Sequence, residues 1–367
     1  MDYKRILFLS PNLGREGGGA ERQIVTVGCL LKDAGFDVEY LYYADGDFYA
    51  PILEEKQIPI KCKLLPNYLK RMFYVRKFIR KGNYDAVISF LETPNFLNNF
   101  AAVGGKSWKV ITGERSAQKR TFLSRKGKIF CWFQRYADYI VCNSDNAKKL
   151  WITYYPQYEN KLMTIYNNVT LRSVSSSYVP KRDGRVHIVV AASYQNVKNA
   201  IGLVNALVLL NEQERGKIHV DWYGKKVIAT TGTKEYDDAC NAIEKNGLQD
   251  VITLHEGTTE IHDRMNEADA VGLFSKYEGL PNAICEGMML GKPIVMTRVS
   301  DYATLIDESN GFLCDWDSSE TIKNALLRLI NLRQDELLEK GKNSKIRAER
   351  LFSKERIIKQ WTDLIKK

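Results

Sequence analysis

Short runs of β-branched and aliphatic residues, each followed by a helix-sized segment, recur along this chain and limit it to an alternating α/β fold. R-I-L-F-L-S (5–10), V-E-Y-L-Y-Y (38–43), A-V-I-S-F (86–90), K-V-I-T (109–112) and Y-I-V-C (139–142) read as buried parallel strands. The series restarts at V-H-I-V-V-A-A (186–192) and continues through I-H-V-D-W-Y (218–223), V-I-T-L (251–254), A-V-G-L-F (270–274) and P-I-V-M (293–296). Between the two series, L-R-S-V-S-S-S-Y-V-P-K-R-D-G-R (171–185) has the Ser, Pro, Gly and charge content of a linker. The expectation is two doubly wound, Rossmann-like α/β domains. The N-terminal one covers 1–178 and the C-terminal one 179–350, with a hinge near 178 and a C-terminal helix over 351–367 packing back on the N-terminal domain. With 367 residues, 44% of them apolar, there is material for two cores, since single cores stop growing at roughly 250–300 residues. Ligands of such sheets bind beyond the carboxyl ends of the strands, so the active site is expected in an interdomain cleft.

The longest apolar runs, such as I-V-T-V-G-C-L-L (24–31), fall short of the ~20 residues a spanning helix needs. The first eleven residues carry too short an apolar stretch for an export signal and run into a Pro-Asn turn. Seven cysteines, odd in number and without a C-x-x-C, suggest free thiols in a reducing cytosol.

The net charge of +10 is unevenly spread. From Lys61 to Arg135 there are 17 Lys and Arg against Asp85, Glu92 and Glu114, an excess of 14, so the rest of the chain is slightly acidic. Within this window Y-L-K-R-M-F-Y-V-R-K-F-I-R-K (68–81) sets Tyr68, Phe73, Tyr74 and Phe78 among the charges at helical spacing. Such a basic amphipathic segment suits an anionic membrane surface; a packed core helix with a basic outer side has the same pattern. No nucleic-acid recognition signature accompanies it, so nucleic acid is not expected as a partner.

The stretch S-K-Y-E-G-L-P-N-A-I-C-E-G-M-M-L-G-K-P-I-V-M (275–296) places Glu278 and Glu286 around a Gly-Leu-Pro-Asn break. Glu278 falls just after a strand, and a helix starts near Asn282 and stops at Gly291. The helix N-terminus between the two carboxylates favours an anion such as phosphate. Carboxylates beside a phosphate are then best used as acceptors for neutral hydroxyls. One Glu for a sugar and one for a ribose, with a diphosphate between, describes a nucleotide sugar.

E-G-L-P-N-A-I-C-E-G-M-M-L-G-K-P-I-V resembles the E-x7-E signature of the retaining GT-B glycosyltransferases of the family 4 type, and the resemblance extends over nearly the whole chain. G-G-G-A-E-R (17–22) looks like the family's N-domain Gly-rich loop, R-Y-A-D-Y-I-V-C-N-S (135–144) like its last N-domain strand, and I-Y-N-N-V (165–169) like its interdomain turn. V-V-A-A-S-Y-Q-N-V-K-N (189–199) looks like its diphosphate clamp, with Lys198 in place but Ser193 at the Arg position and Ala192 at the preceding Gly. S-D-Y-A-T (300–304) stands where the family has Gly-Gly-x-x-Glu. I-T-G-E-R-S (111–116) is similar to the Glu-Arg variant of transferases acting on polyprenyl-diphosphate oligosaccharides, placing Glu114 and Arg115 near the reaction centre.

The resemblance implies the GT-B architecture and transfer of a hexose or N-acetylhexosamine, with retained configuration, from a UDP-type nucleotide sugar. The implied acceptor is a saccharide, lipid-linked and so used on the inner, cytoplasmic face of a membrane. It implies catalytic roles for Glu278, Lys198, Glu114 and Arg115, and donor contacts from Gly18, Gly19, Ser193, Lys198, Glu278, Gly279, Leu280, Asn282 and Glu286. No cofactor is implied. D-W-D (315–317) imitates a metal-binding pattern, but Asp317-Ser-Ser-Glu320 reads better as a helix N-cap box. A nucleotide-sugar epimerase of the same architecture is the main alternative. A dinucleotide oxidoreductase is disfavoured because Arg22 breaks the G-x-G-x-x-G register, and a non-catalytic lipid binder because the two Glu and Lys198 are intact.

Overall fold

The computed structural model describes residues 4–15, 18–115, 119–171, 178–180 and 183–366. It divides into two compact units, Met1–Asn168 with Ser353–Lys367, and Val169–Phe352. Residues 172–177 and 181–182 of the linker, Gly17 of the Gly-rich loop and Ser116 lie outside the described residues.

Unit 1 is built on a seven-stranded parallel sheet of order β3-β2-β1-β4-β5-β6-β7. Its strands are β1 (Arg5–Ser10), β2 (Asp37–Tyr42), β3 (Ile60–Cys62), β4 (Ala86–Phe90), β5 (Lys109–Glu114), β6 (Tyr139–Cys142) and β7 (Leu162–Thr164). Phe8 pairs in register with Tyr40 on one side and Ile88 on the other, and its ring stacks on Tyr40 at 4.9 Å. The sheet is covered on both faces, as an all-parallel sheet must be. One face buries Ile6, Phe8, Val38 and Ile88 with Ile357, Trp361, Leu364 and Ile365 of the helix Lys354–Lys366. The other buries Leu7, Leu9, Val87 and Val110 with Val75 and Ile79 of the helix Tyr68–Lys81 and Phe96 and Leu97 of the helix Glu92–Ala102.

The 68–81 segment is thus a helix, capped by the Asn67 side chain, which accepts from the Lys70 amide. Its arginines have a structural task. Arg76 donates to the carbonyls of Phe100 and Ala101 (2.8 and 2.9 Å), Arg80 to Gly105 (2.7 Å) and Arg71 to Leu65 (2.6 Å). Arg76 thus satisfies carbonyls at the carboxyl end of the neighbouring helix, where unpaired C=O groups and the helix dipole favour cations, and Arg80 ties the turn that follows it.

Unit 2 has a six-stranded parallel sheet of order β10-β9-β8-β11-β12-β13. Its strands are β8 (Val186–Ala191), β9 (Ile218–Gly224), β10 (Ile252–Glu256), β11 (Ala270–Leu273), β12 (Ile294–Thr297) and β13 (Gly311–Cys314). Its core joins Ile188, Val190, Val220 and Trp222 to Leu203, Leu207, Leu326 and Leu329 from flanking helices. β6 is not the last strand of its unit, because β7 extends the sheet. The expected cap box at Asp317 shifts by one residue: Ser318 is the N-cap of the helix Ser319–Ile330 and accepts from the Thr321 amide. No helix among the described residues is long and apolar enough to cross a membrane.

Candidate functional site

In each sheet the strand order reverses direction once, between β1 and β4 in unit 1 and between β8 and β11 in unit 2. Chain leaving two adjacent strands in opposite directions opens a crevice at their carboxyl ends, where α/β sheets bind ligands.

In unit 2 that crevice is bordered by the segments after β8 and β11. After β8 the chain makes a 3₁₀ turn, Asn196–Lys198, and Asn199 enters the helix Ala200–Val208 in the left-handed region at φ 64°. Its side chain donates to the Trp316 carbonyl at 2.9 Å. After β11, the Lys276 amide bonds the Val197 carbonyl at 2.8 Å and its ammonium reaches Asn196 Oδ1 at 2.7 Å. This lacing of the two loops brings Lys198 Nζ to 2.6 Å from Glu278 Oε1, and the buried Ser275 hydroxyl donates to the same oxygen at 2.7 Å. Two residues eighty positions apart therefore form one half-buried ion pair. An ammonium has three donors, so Lys198 can hold Glu278 and a further oxygen together.

Gly279 and Leu280 follow in the loop, and Asn282 begins the helix Asn282–Met289. The loop is pinned by Ser300, which stands at φ 56° and donates its hydroxyl to the Gly279 carbonyl. Ser300 thus keeps a left-handed turn that favours glycine, and adds a side-chain tie that a glycine lacks. Glu286, on the inner face of the helix, is 7% exposed, with His262 Nε2 3.5 Å from its Oε2. Sequence reasoning missed His262, which comes from a separate helix, Ile261–Glu267, and follows no spacing rule. It also passed over Ser275, although that residue lies only three positions before Glu278.

Ser193, where the family's Arg would stand, is half-buried in a tight turn, its carbonyl accepting from the Gln195 amide at 2.8 Å. Directly beside it β9 ends in Gly224, where a Cβ would lie 1.9 Å from the Ala192 carbonyl oxygen. The loops after β8 and β9 touch backbone to backbone. Lys292 of the G-K-P segment does not join the site. It is buried and donates to the Asn266 and Ala268 carbonyls (2.6 and 2.8 Å), and burial pushes its pKa down to about 8. Asp315 of D-W-D pairs with Arg298 at 3.0 Å, and no group of three His, Cys, Asp or Glu among the described residues could hold a metal ion.

In unit 1 the crevice contains a cavity of about 140 Å³. Ala20, just past the Gly-rich loop, lines it with Glu92, Glu114, Arg115, Phe130 and Trp151. Gly18 stands at φ 143° before the helix Gly19–Asp33, a conformation in which a Cβ would also meet the Glu21 carboxylate at 2.4 Å. Glu114 closes β5 and is 9% exposed, with the Trp151 indole N–H directed at its Oε2 at 3.4 Å. Arg115 lies over the Phe90 ring at 3.6 Å and donates to Asn167 Oδ1 at 3.2 Å. Burial pushes its pKa down to about 9, and its Nε and Nη2 are buried without a hydrogen-bond partner among the described residues.

The sequence-predicted residues thus form two groups. Lys198, Glu278, Gly279, Leu280, Asn282 and Glu286 gather around the β8/β11 crevice of unit 2 with Ser193 beside them, and Gly18, Gly19, Glu114 and Arg115 around the β1/β4/β5 crevice of unit 1.

Comparison with known proteins gives a consistent assignment. Residues 17–172 match the model of "Glycosyltransferase Family 4" and residues 176–347 that of "Glycosyl transferases group 1". The chain is 24% identical to an uncharacterized glycosyltransferase of Haemophilus influenzae, covering 99% of this chain and 100% of the relative. It is 22% identical to the UDP-Gal:alpha-D-GlcNAc-diphosphoundecaprenol alpha-1,3-galactosyltransferase of Escherichia coli, covering 86% of each. Among solved structures, Anabaena Alr3699/HepE in complex with UDP-glucose superposes with a TM-score of 0.83 at 17% identity, covering 99% of this chain and 100% of that one. The chain is a glycosyltransferase of the GT-B fold, its first half matching glycosyltransferase family 4 and its second half glycosyl transferases group 1.

Proposed function

We propose that this enzyme transfers a hexose or N-acetylhexosamine from a UDP-sugar to a lipid-linked saccharide, with retention at the anomeric carbon. The observation that carries the donor half is the Lys198–Glu278 pair at the unit 2 crevice, beside the start of the 282–289 helix and the buried Glu286. In this reading Glu286 accepts from the ribose, Glu278 accepts from the donor sugar, and Lys198 with the helix amides faces the diphosphate. As the bond from the anomeric carbon to the β-phosphate oxygen breaks, charge grows on the diphosphate, and fixed donors there lower the barrier. The acceptor oxygen forms its bond on the face the diphosphate leaves, and its proton passes to a departing phosphate oxygen. Positive charge comes from Lys198 and the amides, so the proposal requires no metal.

The lipid-linked acceptor is supported by the printed activity of the E. coli relative and by the outer side of unit 1. Leu69 and Phe73 of the 68–81 helix and Leu123, Ile129 and Trp132 around the helix Arg125–Phe133 are exposed. Lys70, Lys77 and Lys81 stand exposed beside the first pair. Apolar tips among lysines suit docking on an anionic cytoplasmic leaflet.

The test is incubation of the full chain with a panel of UDP- and GDP-sugars, with and without a short-chain prenyl-diphosphate saccharide. A UDP-sugar consumed with a new glycosidic bond of retained configuration supports the proposal. Release of an epimerised sugar without acceptor would replace it with the epimerase.

A further inference from the structure

Unit 1 has a second opening, at the reverse end of its sheet from the crevice. Arg5 opens β1, and Lys81 ends the helix that leads into β4. With Lys61 and Lys77 they line a groove of about 440 Å³, walled on its apolar side by the rings of Tyr74 and Phe78. Those rings stack with centroids 6.2 Å apart. The lining thus holds four cations and no acid.

The four cations differ in what they already hold. Glu39, 4% exposed, pairs at 2.9 Å with both Arg5 and Lys61, and Asp37 lies 3.6 Å from Arg5. The Arg5 guanidinium also donates to the Gly82 carbonyl. These two charges are matched within the fold. Lys77 and Lys81 are exposed, and their ammonium groups make no ion pair or hydrogen bond among the described residues. Like charges one helical turn apart repel, and an anion between them relieves the repulsion.

The spacing and the surroundings restrict that anion. Side chains four residues apart on a helix start ~6 Å from each other, a span that one phosphate bridges with two of its oxygens. A phosphomonoester brings roughly −1.5 to −2 of charge at pH 7 and three acceptor oxygens, which matches the two open cations; a phosphodiester brings less of both. Leu69 and Phe73, 64% and 63% exposed, precede Lys77 and Lys81 in four-residue steps, each beside the last on the helix surface. A soluble phosphate makes no use of apolar tips next to its site. A lipid headgroup comes with a bilayer that receives them. Because the groove opens at the amino ends of the strands, away from the crevice at their carboxyl ends, its ligand is neither the donor nor the acceptor.

We infer that this groove seats the phosphomonoester headgroup of a membrane lipid, with Lys77 and Lys81 holding the phosphate and Tyr74 and Phe78 covering the atoms next to it. The inference rests on the reading that unit 1 docks on an anionic leaflet, and adds to it a saturable site that distinguishes one anionic headgroup from another.

The test is sedimentation of the full chain with phosphatidylcholine vesicles containing either phosphatidic acid or phosphatidylglycerol. The two are set to equal surface charge at ~0.15 M salt, where the Debye length is ~8 Å. The expected result is at least fivefold tighter binding to the phosphatidic acid vesicles. That preference is lost in Lys77→Gln/Lys81→Gln and kept in Lys128→Gln/Lys149→Gln, which removes the same charge from exposed positions of unit 1 outside the groove. Equal binding to the two lipids, or equal effects of the two double variants, would overturn the inference and leave docking by diffuse charge. Glycerol 3-phosphate displacing the protein from phosphatidic acid vesicles at micromolar concentration would make the occupant a soluble phosphate and overturn the lipid assignment. Absence of sedimentation with either anionic vesicle would remove the docking reading itself, and this inference with it.

Discussion

Lys198 and Glu278 hold each other at 2.6 Å, so each fixes the position of the other. A preorganised cation costs no reorganisation when charge develops on a leaving diphosphate, and loss of one such donor reduces rates by roughly 10²–10³. Lys198→Ala is therefore expected to lower kcat about a hundredfold while UDP affinity falls much less; a loss below threefold would mean that another cation is the main clamp. Glu286→Ala is the complement, expected to weaken UDP and UDP-sugar binding alike, whereas Glu278→Gln is expected to act on turnover. The placement of Glu278 and Glu286 was legible in the sequence because a loop and a helix start fix their spacing, whereas Lys198 was expected only from the resemblance of 189–199 to the family's diphosphate clamp. Ser275 and His262 were not, the first because one serine in a loop carries no pattern, the second because its partner is brought by tertiary packing of another helix.

Strands and helices were legible where the sheet buries them twice. β1, β4, β5, β8, β11 and β12 lie inside their sheets and read as apolar runs. The three strands that the periodicity did not reveal, β3, β7 and β13, are all at sheet edges and only three or four residues long. An edge strand pairs on one side and leaves less apolar signal, as in β3, where Lys61 and Cys62 are exposed. The 68–81 helix shows a different limit: its pattern allowed both a membrane-facing and a packed helix, and the structure divides its charges between tasks. Arg76→Met removes charged donors from the Phe100 and Ala101 carbonyls and is expected to destabilise unit 1 by roughly 1.5–3 kcal/mol in denaturant melts. Combined reversal of Lys70, Lys77 and Lys81 to Glu is expected to leave stability within about 0.5 kcal/mol and to abolish sedimentation with anionic vesicles at low salt. Sedimentation unchanged by that reversal would remove the membrane claim.

At the scale of the whole molecule, unit 1 is made from two separate pieces of chain, and unit 2 from one piece between them. The second piece is no ornament. Trp361 is 1% exposed and its ring lies 6.2 Å from that of Phe90, over which Arg115 is stacked, while Lys4 and Lys109 both donate to the Ile365 carbonyl. Trp361→Ala is expected to cost unit 1 about 3–5 kcal/mol in denaturant melts; a loss below about 1 kcal/mol would mean that this helix adds little to the unit 1 core. The split also sets an order of events on the ribosome. Domains fold as units as synthesis delivers them, and here the first 168 residues emerge without the helix that completes one face of their core. Unit 2, contiguous from Val169 to Phe352, has all its residues before unit 1 does. The nascent N-terminal half must therefore wait with part of its apolar face uncovered until the helix Lys354–Lys366 leaves the tunnel, the interval in which a chaperone that shields apolar surface has most to protect.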